Sequence, residues 1–397
     1  MTLFTLTSDL HGELARNAHN EPFIKDIESV LGERFACMEG DFSSFGKPGD
    51  VIYVRTGGTE GIFLKVYKGH EGTPVSLLTS GQSNSLAASM EILSWLRDRN
   101  IPARIIHGTA EQIAARLSGT WQDEAPVSFR RPFNAPGALQ GRRFGVVGRP
   151  SDWLISSDVD YAAAHRLLGA ELIDIPIDEL IEDVRSMGVL ADVPALRPLN
   201  APKYGRPITP EDFEGSLKIY ASLKTLAGRY RLNGLTLRCF DLLTALGNTG
   251  CMALALLNSE GFIATCEGDV PAMLSMALVR ERYGVSGFQA NLSRIDGEHY
   301  LFAHCTVPLD MVGDYCYDTH FESGIGVAVH GVLPKGPARI FKLGADLSSC
   351  FDEQVEILDN PYGANLCRTQ VLIKAPAALR SYFLREPLGN HHVIVPV

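Results

Sequence analysis

The strongest constraint on this chain is a repeated order of apolar run, glycine-bearing polar loop, amphipathic helix and second apolar run. Val75-Ser76-Leu77-Leu78 ends in Thr79-Ser80-Gly81-Gln82-Ser83-Asn84-Ser85, which leads straight into a helix over 86–99 with apolar residues at 86, 87, 90, 93 and 96. Residues 101–106 read as the next strand. Parallel strands need a crossover of this length between them, so the stretch is a βαβ unit. An earlier apolar run, 51–54, is closed by Arg55-Thr56-Gly57-Gly58-Thr59-Glu60-Gly61. The rhythm returns with a strand over 143–148, a helix over 159–168 ended by Gly169, a strand over 171–175 and a helix over 177–187. Residues 120–140 and 188–210 are proline-rich and aperiodic, as connections are.

After about residue 225 the pattern changes to short strands separated by Gly, Asp and Pro turns, at 234–240, 300–303, 326–331, 338–343 and 369–373. The expected fold is therefore α/β: two flavodoxin/Rossmann-like parallel-sheet domains, over 1–130 and 140–225, followed by a β-rich, barrel-like C-terminal domain over 226–397.

Charge excludes several function classes. With 36 Lys and Arg against 46 Asp and Glu the net charge is −10, and the basic residues occur as isolated pairs, so nucleic acid is not an expected partner. No apolar run reaches the ~20 residues of a membrane span, and the N-terminal MTLFTLTSDLHGE has no charged n-region before an apolar core; a cytoplasmic location is expected. The eight cysteines form no CxxC pair and read as reduced, buried thiols. Neither Gly-rich loop carries GxGxxG or GxxxxGK[ST], which argues against a nucleotide; Gly57 and Gly58 read as turn residues. Thr56, Thr59, Glu60, Gln82, Ser83 and Asn84 nevertheless place hydroxyl, amide and carboxyl groups where a polyol could bind.

Residues 254–278, LALLNSEGFIATCEGDVPAMLSMAL, set Glu267 and Asp269 after an apolar strand and ahead of a helix with Pro271 in its first turn. Two apolar runs, 254–257 and 262–265, flank the turn Asn258-Ser259-Glu260-Gly261. Asp269 reads first as a helix cap and second as a functional carboxylate; Glu267 is badly placed for a cap, which favours function.

Cys266-Glu267-Gly268-Asp269 with Met273-Leu274-Ser275-Met276 resembles the metal-binding segment of the L-fucose and L-arabinose isomerase superfamily, closest to its short fucose-isomerase-like proteins. Ala303-His304-Cys305-Thr306-Val307-Pro308-Leu309 and Gly389-Asn390-His391-His392 match two further elements of that pattern. The second acidic ligand of the family falls on Asn291, a departure, since an amide can bind a metal or a hydroxyl but cannot act as a base. The likeness is close over 230–397 and looser over the first 200 residues. It implies metal ligation by Glu267, His304 and one of His391 and His392, with catalytic roles at Glu267, Asp269 and position 291. Neighbouring residues on a strand face opposite ways, so only one of the two C-terminal histidines is expected at the metal, His391 slightly favoured.

One carboxylate and two imidazoles suit a divalent ion, Mn²⁺ first, with Zn²⁺, Fe²⁺ or Co²⁺ as alternatives. The expected activity is metal-dependent aldose–ketose isomerisation of a small sugar by ene-diol proton transfer. A sugar-binding or regulatory relative without isomerase chemistry, or a metal-assisted epimerase or lyase on a sugar acid, are the competing readings. Trp153 reads as packing or as a platform for a sugar ring, and Arg368 and Arg238 as partners for an anionic substrate group. His320 and Glu322 are expected on one strand face. As in the resembling isomerases, a homo-oligomer is expected, its active site completed by a neighbour's loops around Glu60 and Asn84.

Overall fold

The computed structural model describes residues 1–9, 18–121, 127–188, 196 and 205–397, and these form a mixed α/β structure with two parallel sheets and one large antiparallel sheet. The first parallel sheet contains β1 (Thr2–Leu6), β2 (Ala36–Glu39), β3 (Asp50–Val54), β4 (Val75–Thr79) and β5 (Ala103–Ile106), in the order β2-β1-β3-β4-β5. Leu3, Val51, Tyr53 and Leu78 pack against α1 (Pro22–Leu31) and α4 (Ala110–Leu117). The alternate residues Phe4, Ile52, Val54 and Leu77 pack with α2 (Glu60–Tyr67) and α3 (Ser85–Asp98). Covering both faces is what makes such strands read as unbroken apolar runs.

A short strand, β6 (Arg131–Pro132), lies in the expected connection and pairs with the antiparallel sheet. The second parallel sheet is built from β7 (Arg143–Val147), β8 (Glu171–Ile175), β9 (Gly234–Leu237) and β10 (Ile263–Cys266), in the order β10-β9-β7-β8. Its helices are α5 (Tyr161–Leu168), α6 (Ile177–Ser186), α7 (Pro210–Tyr230), α8 (Asp241–Leu246), α9 (Cys251–Ser259) and α10 (Val270–Tyr283). The sheet crosses the expected boundary at 225/226, because β9 and β10 pair with β7 and with each other. Residues 254–257, expected as a separate apolar run, belong to α9; that helix is buried from Cys251 to Asn258, and burial on every side erases the helical period.

The antiparallel sheet takes β11 (Phe288–Asp296), β12 (His299–His304), β15 (Gly336–Leu343), β16 (Ser349–Asp359), β17 (Thr369–Lys374) and β18 (His392–Pro396). Between them, β13 (Asp314–Asp318) and β14 (Ala328–Val332) make a separate hairpin. The order β15-β18-β11-β12-β17-β16 is closed on itself by pairing of β15 with β16. The C-terminal strand β18 lies between β11 and β15, which returns His391 to the neighbourhood of residues 266–304.

Two helices join the sheets. Ser85 to Ser94 of α3 are all buried, in one apolar cluster with Phe288, Leu292 and Phe302 of the antiparallel sheet. Likewise α10 is buried from Val270 to Val279, between Phe144, Val146 and Ile263 on one side and Phe341, Leu343, Val393 and Val395 on the other. The final helix, α11 (Arg380–Arg385), stacks Tyr382 on Phe351 with ring centres 4.0 Å apart. Among the described residues no helix is long and apolar enough to cross a membrane.

Candidate metal centre and its cavity

Glu267 follows the last residue of β10 in a left-handed conformation, φ 66°, and Gly268 continues it at φ 72°. A Cβ on Gly268 would stand 2.4 Å from the Arg149 carbonyl oxygen, so the chain can pass here only as glycine. A non-glycine residue held left-handed costs about 1–3 kcal/mol, and such strain gathers at functional sites. The bend is pinned by the Ser151 N–H donating to the Glu267 carbonyl at 2.9 Å and the Gly268 N–H donating to that of Leu237 at 3.0 Å. It lies at the carboxyl end of a parallel strand, where open α/β sheets bind ligands.

Asp269 caps the helix as expected with one oxygen and meets His391 with the other. Its Oδ1 accepts the Ala272 N–H at 2.7 Å and caps α10, while Oδ2 accepts the His391 Nδ1–H at 2.8 Å. That bond turns His391 Nε2 toward Glu267, 3.3 Å from Oε1, with no aligned hydrogen bond of its own. His304 Nε2 approaches the same oxygen to 3.7 Å, and its Nδ1 is held by the Thr306 hydroxyl at 2.9 Å. The indole N–H of Trp153 donates to Glu267 Oε2 at 2.5 Å. One donor atom from each of Glu267, His304 and His391 lies within 4.8 Å of the others, and all three residues are buried. A cation bonded at about 2.1 Å keeps neighbouring donors roughly 3–3.5 Å apart, so this set fits a divalent metal with only small inward movement.

The electrostatics describe a site built for positive charge. Burial alone would raise Glu267, but His391 and His304 hold its carboxyl well below the usual range. Asp269 is likewise held down against burial, by Lys342 and then by His391. Burial would lower His391, yet the charges of Glu267 and Asp269 push it up to about 10. A proton on His391 thus holds the charge that a metal would displace.

Glu267 opens onto a cavity of about 190 Å³ whose wall includes Trp153, Asn291, Glu60, Asn84 and Glu322. Trp153 meets Phe240 edge-on at 4.8 Å, so it is packed and cavity-facing at once. Asn291, on β11, is 3% exposed, and its Oδ1 has no hydrogen-bond partner. Glu60 is 1% exposed, and its Oε2 also lacks a partner; burial, then the charges of Glu91 and Glu267, raise this carboxyl well above its ordinary range. Asn84 Nδ2 donates to Glu322 Oε1 at 3.0 Å. Glu60 and Asn84 belong to the same chain as Glu267, so the loops expected from a neighbouring subunit are supplied in cis. The cause is the α3 helix, whose packing on β11 draws the first sheet's loops over the end of β10.

Other expected residues lie apart. His392 faces away from the cluster: its Nδ1–H donates to the Asn390 carbonyl at 2.8 Å, Nε2 accepts from Tyr382 at 2.9 Å, and burial lowers it to about 3. Alternation at the head of β18 is the reason, since His392 shares the face of Ile394 while Val393 and Val395 pack in the cluster containing α10. The Thr59 hydroxyl donates to the Thr56 carbonyl at 3.0 Å, fixing the turn before α2. Gln82 is exposed and accepts from Asn365 at 3.5 Å. Arg368 is buried with its Nε–H donating to the Thr319 carbonyl at 2.7 Å, and Arg238 binds Asp241 at 3.0 Å and the Pro150 carbonyl at 2.7 Å. Both guanidiniums brace loops. His320 and Glu322 sit in the turn between β13 and β14, not on a strand.

Two buried charges beside the site have no place in the expected set. Lys342 is 0% exposed, 3.8 Å from Asp269, and lies in register with Ala338 and Ile340 of β15; the alternation marks it as inward-facing. Glu91 accepts from the Ser156 N–H at 2.8 Å, the Ser157 hydroxyl at 3.0 Å and the Asn390 N–H at 2.9 Å, tying α3 to both loops that frame the site. A lone acid between Met90 and Ile92 was its signal. No family model matches this chain, and no curated protein compared with it matches either.

Proposed function

We propose that the protein is a metal-dependent aldose–ketose isomerase-like enzyme acting on a small sugar or sugar derivative, with the chemistry of the L-fucose and L-arabinose isomerase superfamily. The observation that carries this reading is the convergence of Glu267, His304 and His391 on one point at the wall of a polar cavity. These three residues would hold the cation, Mn²⁺ first, with Zn²⁺, Fe²⁺ and Co²⁺ compatible with the same donors. When bound, such a cation polarises a carbonyl and the hydroxyl beside it. The chain's own groups do the rest. Asp269 orients His391, Trp153 orients Glu267, and the carboxyl of Glu60 with the amides of Asn84 and Asn291 hydrogen-bonds sugar hydroxyls. On this reading the parallel sheets are flavodoxin/Rossmann-like and the closed antiparallel sheet is the barrel of a C-terminal catalytic domain in a cytoplasmic enzyme.

The test is incubation of the purified protein with Mn²⁺ and a panel of aldopentoses, aldohexoses, 6-deoxyhexoses and their ketoses, with product formation followed by chromatography. Interconversion of one aldose–ketose pair, lost on chelation, is the expected result; bound metal without conversion of any member would defeat the reading. Asn291 favours a second reading, a sugar-binding relative without isomerase chemistry. Sugar affinity without turnover would select it.

A further inference from the structure

The cavity lacks a base where the resembling isomerases carry their second acid, because Asn291 occupies that place. Another carboxyl faces the same space from the opposite side of the chain's topology. Glu322, in the turn between β13 and β14, lines the cavity with Glu267 and Asn291 and is half-buried. Its Oε1 accepts from Asn84 Nδ2 at 3.0 Å, and a Cβ on Gly57 would lie 3.7 Å from the same oxygen. Gly57 is itself pressed on Asn84, where a Cβ would stand 2.8 Å from the Asn84 Cβ. Asn84 is fixed at the head of α3 with φ 59°. One carboxylate oxygen is therefore anchored on the loops of the first sheet, and the other is left for a ligand.

We propose that Glu322 is the catalytic base and acid of this site, moving the proton between adjacent carbons of a bound polyhydroxy carbonyl compound in place of a carboxylate at position 291. This deepens the isomerase reading and rests on it. The carboxylate takes the proton from the hydroxyl-bearing carbon beside the carbonyl; the C–H pair becomes the C=C bond of an ene-diolate as the carbonyl π pair moves onto its oxygen. The proton of the neighbouring hydroxyl passes to that oxygen, the Glu322 carboxyl returns its proton to the former carbonyl carbon, the C=C pair forms that C–H bond, and the deprotonated neighbour becomes the new carbonyl. No oxidant or co-reactant is consumed. Glu322 is suited to both halves: burial and then the negative charge of Glu267 push it up to about 7, with Cys305 adding to the rise and the Asn84 amide opposing it. A group poised near neutrality can both accept and return a proton.

The experiment follows exchange of carbon-bound hydrogen in D₂O by NMR, for wild type, Glu322→Gln and Asn84→Ala, with Mn²⁺ and the same sugar panel. Bound Mn²⁺ and circular dichroism are measured on each variant. Glu322→Gln is expected to lose at least 100-fold in exchange and isomerisation while keeping its metal and its fold. Asn84→Ala, which keeps the carboxyl but removes the hydrogen bond that lowers it, is expected to move the midpoint of the pH–rate profile upward. Exchange that survives in Glu322→Gln, or a profile unmoved by Asn84→Ala, overturns the assignment of Glu322 and leaves the isomerase reading standing. A wild-type protein that binds Mn²⁺ but exchanges no hydrogen of any panel member overturns both.

Discussion

The two walls of the cavity are held in opposite ways. On the metal side, Asp269 holds His391, Thr306 holds His304 and Trp153 holds Glu267, so each side chain has one fixed atom and one turned to a common point. On the other side, Glu60 Oε2, Asn84 Oδ1 and Asn291 Oδ1 are buried with no partner. Each such atom costs about 1–3 kcal/mol, a cost a folded chain retains where a ligand can satisfy it. The first wall concentrates charge on a rigid frame, and the second leaves buried hydrogen-bonding groups unmet.

The largest expected effect follows from breaking the charged wall. Glu267→Gln removes its one anionic ligand and leaves two imidazoles, so Mn²⁺ affinity should fall by more than about 100-fold, beyond what loss of a supporting residue causes. Isothermal titration calorimetry reads this directly, and unchanged affinity would show that Glu267 is not a ligand. Asp269→Asn probes the support alone. Asparagine still caps α10 but no longer presents a carboxylate to His391 and Lys342, so affinity should fall by about 10- to 100-fold and the Tm of the metal-free protein should fall as well.

A smaller effect comes from pH in the metal-free protein. Glu267 and Asp269 are depressed below their ordinary values of 4.5 and 3.8, so the stability they add is complete above about pH 4.5 and is lost as pH falls through the depressed values. His391 is raised from 6.5 to about 10, so its contribution is complete below pH 6.5 and is lost as pH rises toward 10. The Tm of the metal-free protein should therefore be highest between about pH 4.5 and 6.5 and fall on the alkaline side. Saturating Mn²⁺ replaces the proton on His391 and should remove that alkaline fall. Differential scanning calorimetry with and without Mn²⁺ checks it; an alkaline fall that persists at saturating metal would break the account.

The charged wall was also the more legible of the two. Glu267, Gly268 and Asp269 follow an apolar strand, and the strict alternation of a strand separates His391 from His392; the resemblance, not a local rule, is what singles out the histidines. The polar wall depends on long-range packing. That Glu60 and Asn84 reach Glu267 within one chain is decided by α3, which buries Ser85, Ser89 and Ser94 as well as its apolar stripe, so the stripe alone does not tell that a second sheet packs on the helix. For the same reason α9 lost its period and β9 and β10 were assigned away from their sheet. Glu322 reads from the sequence only as sharing a strand face with His320, because an irregular turn has no periodicity from which to read direction.

The smallest effect separates the two walls most finely. Glu60 lies 1% exposed, and its burial, then the charges of Glu91 and Glu267, raise its carboxyl well above the ordinary range and favour the neutral acid. Glu60→Gln replaces a neutral acid by a neutral amide of nearly the same shape, so it removes no charge from the metal's surroundings. Mn²⁺ affinity should stay within about twofold, whereas loss of an ionised neighbour would weaken it, since opposite charges near a cation add to its binding. The hydroxyl donor becomes an amide donor with different reach, and sugar affinity should fall by roughly three- to tenfold, the worth of one ordinary hydrogen bond. Titration of Glu60→Gln with Mn²⁺ and then with a panel sugar that wild type binds measures both. A tenfold loss of Mn²⁺ affinity would mean that Glu60 is ionised and belongs to the charged wall after all.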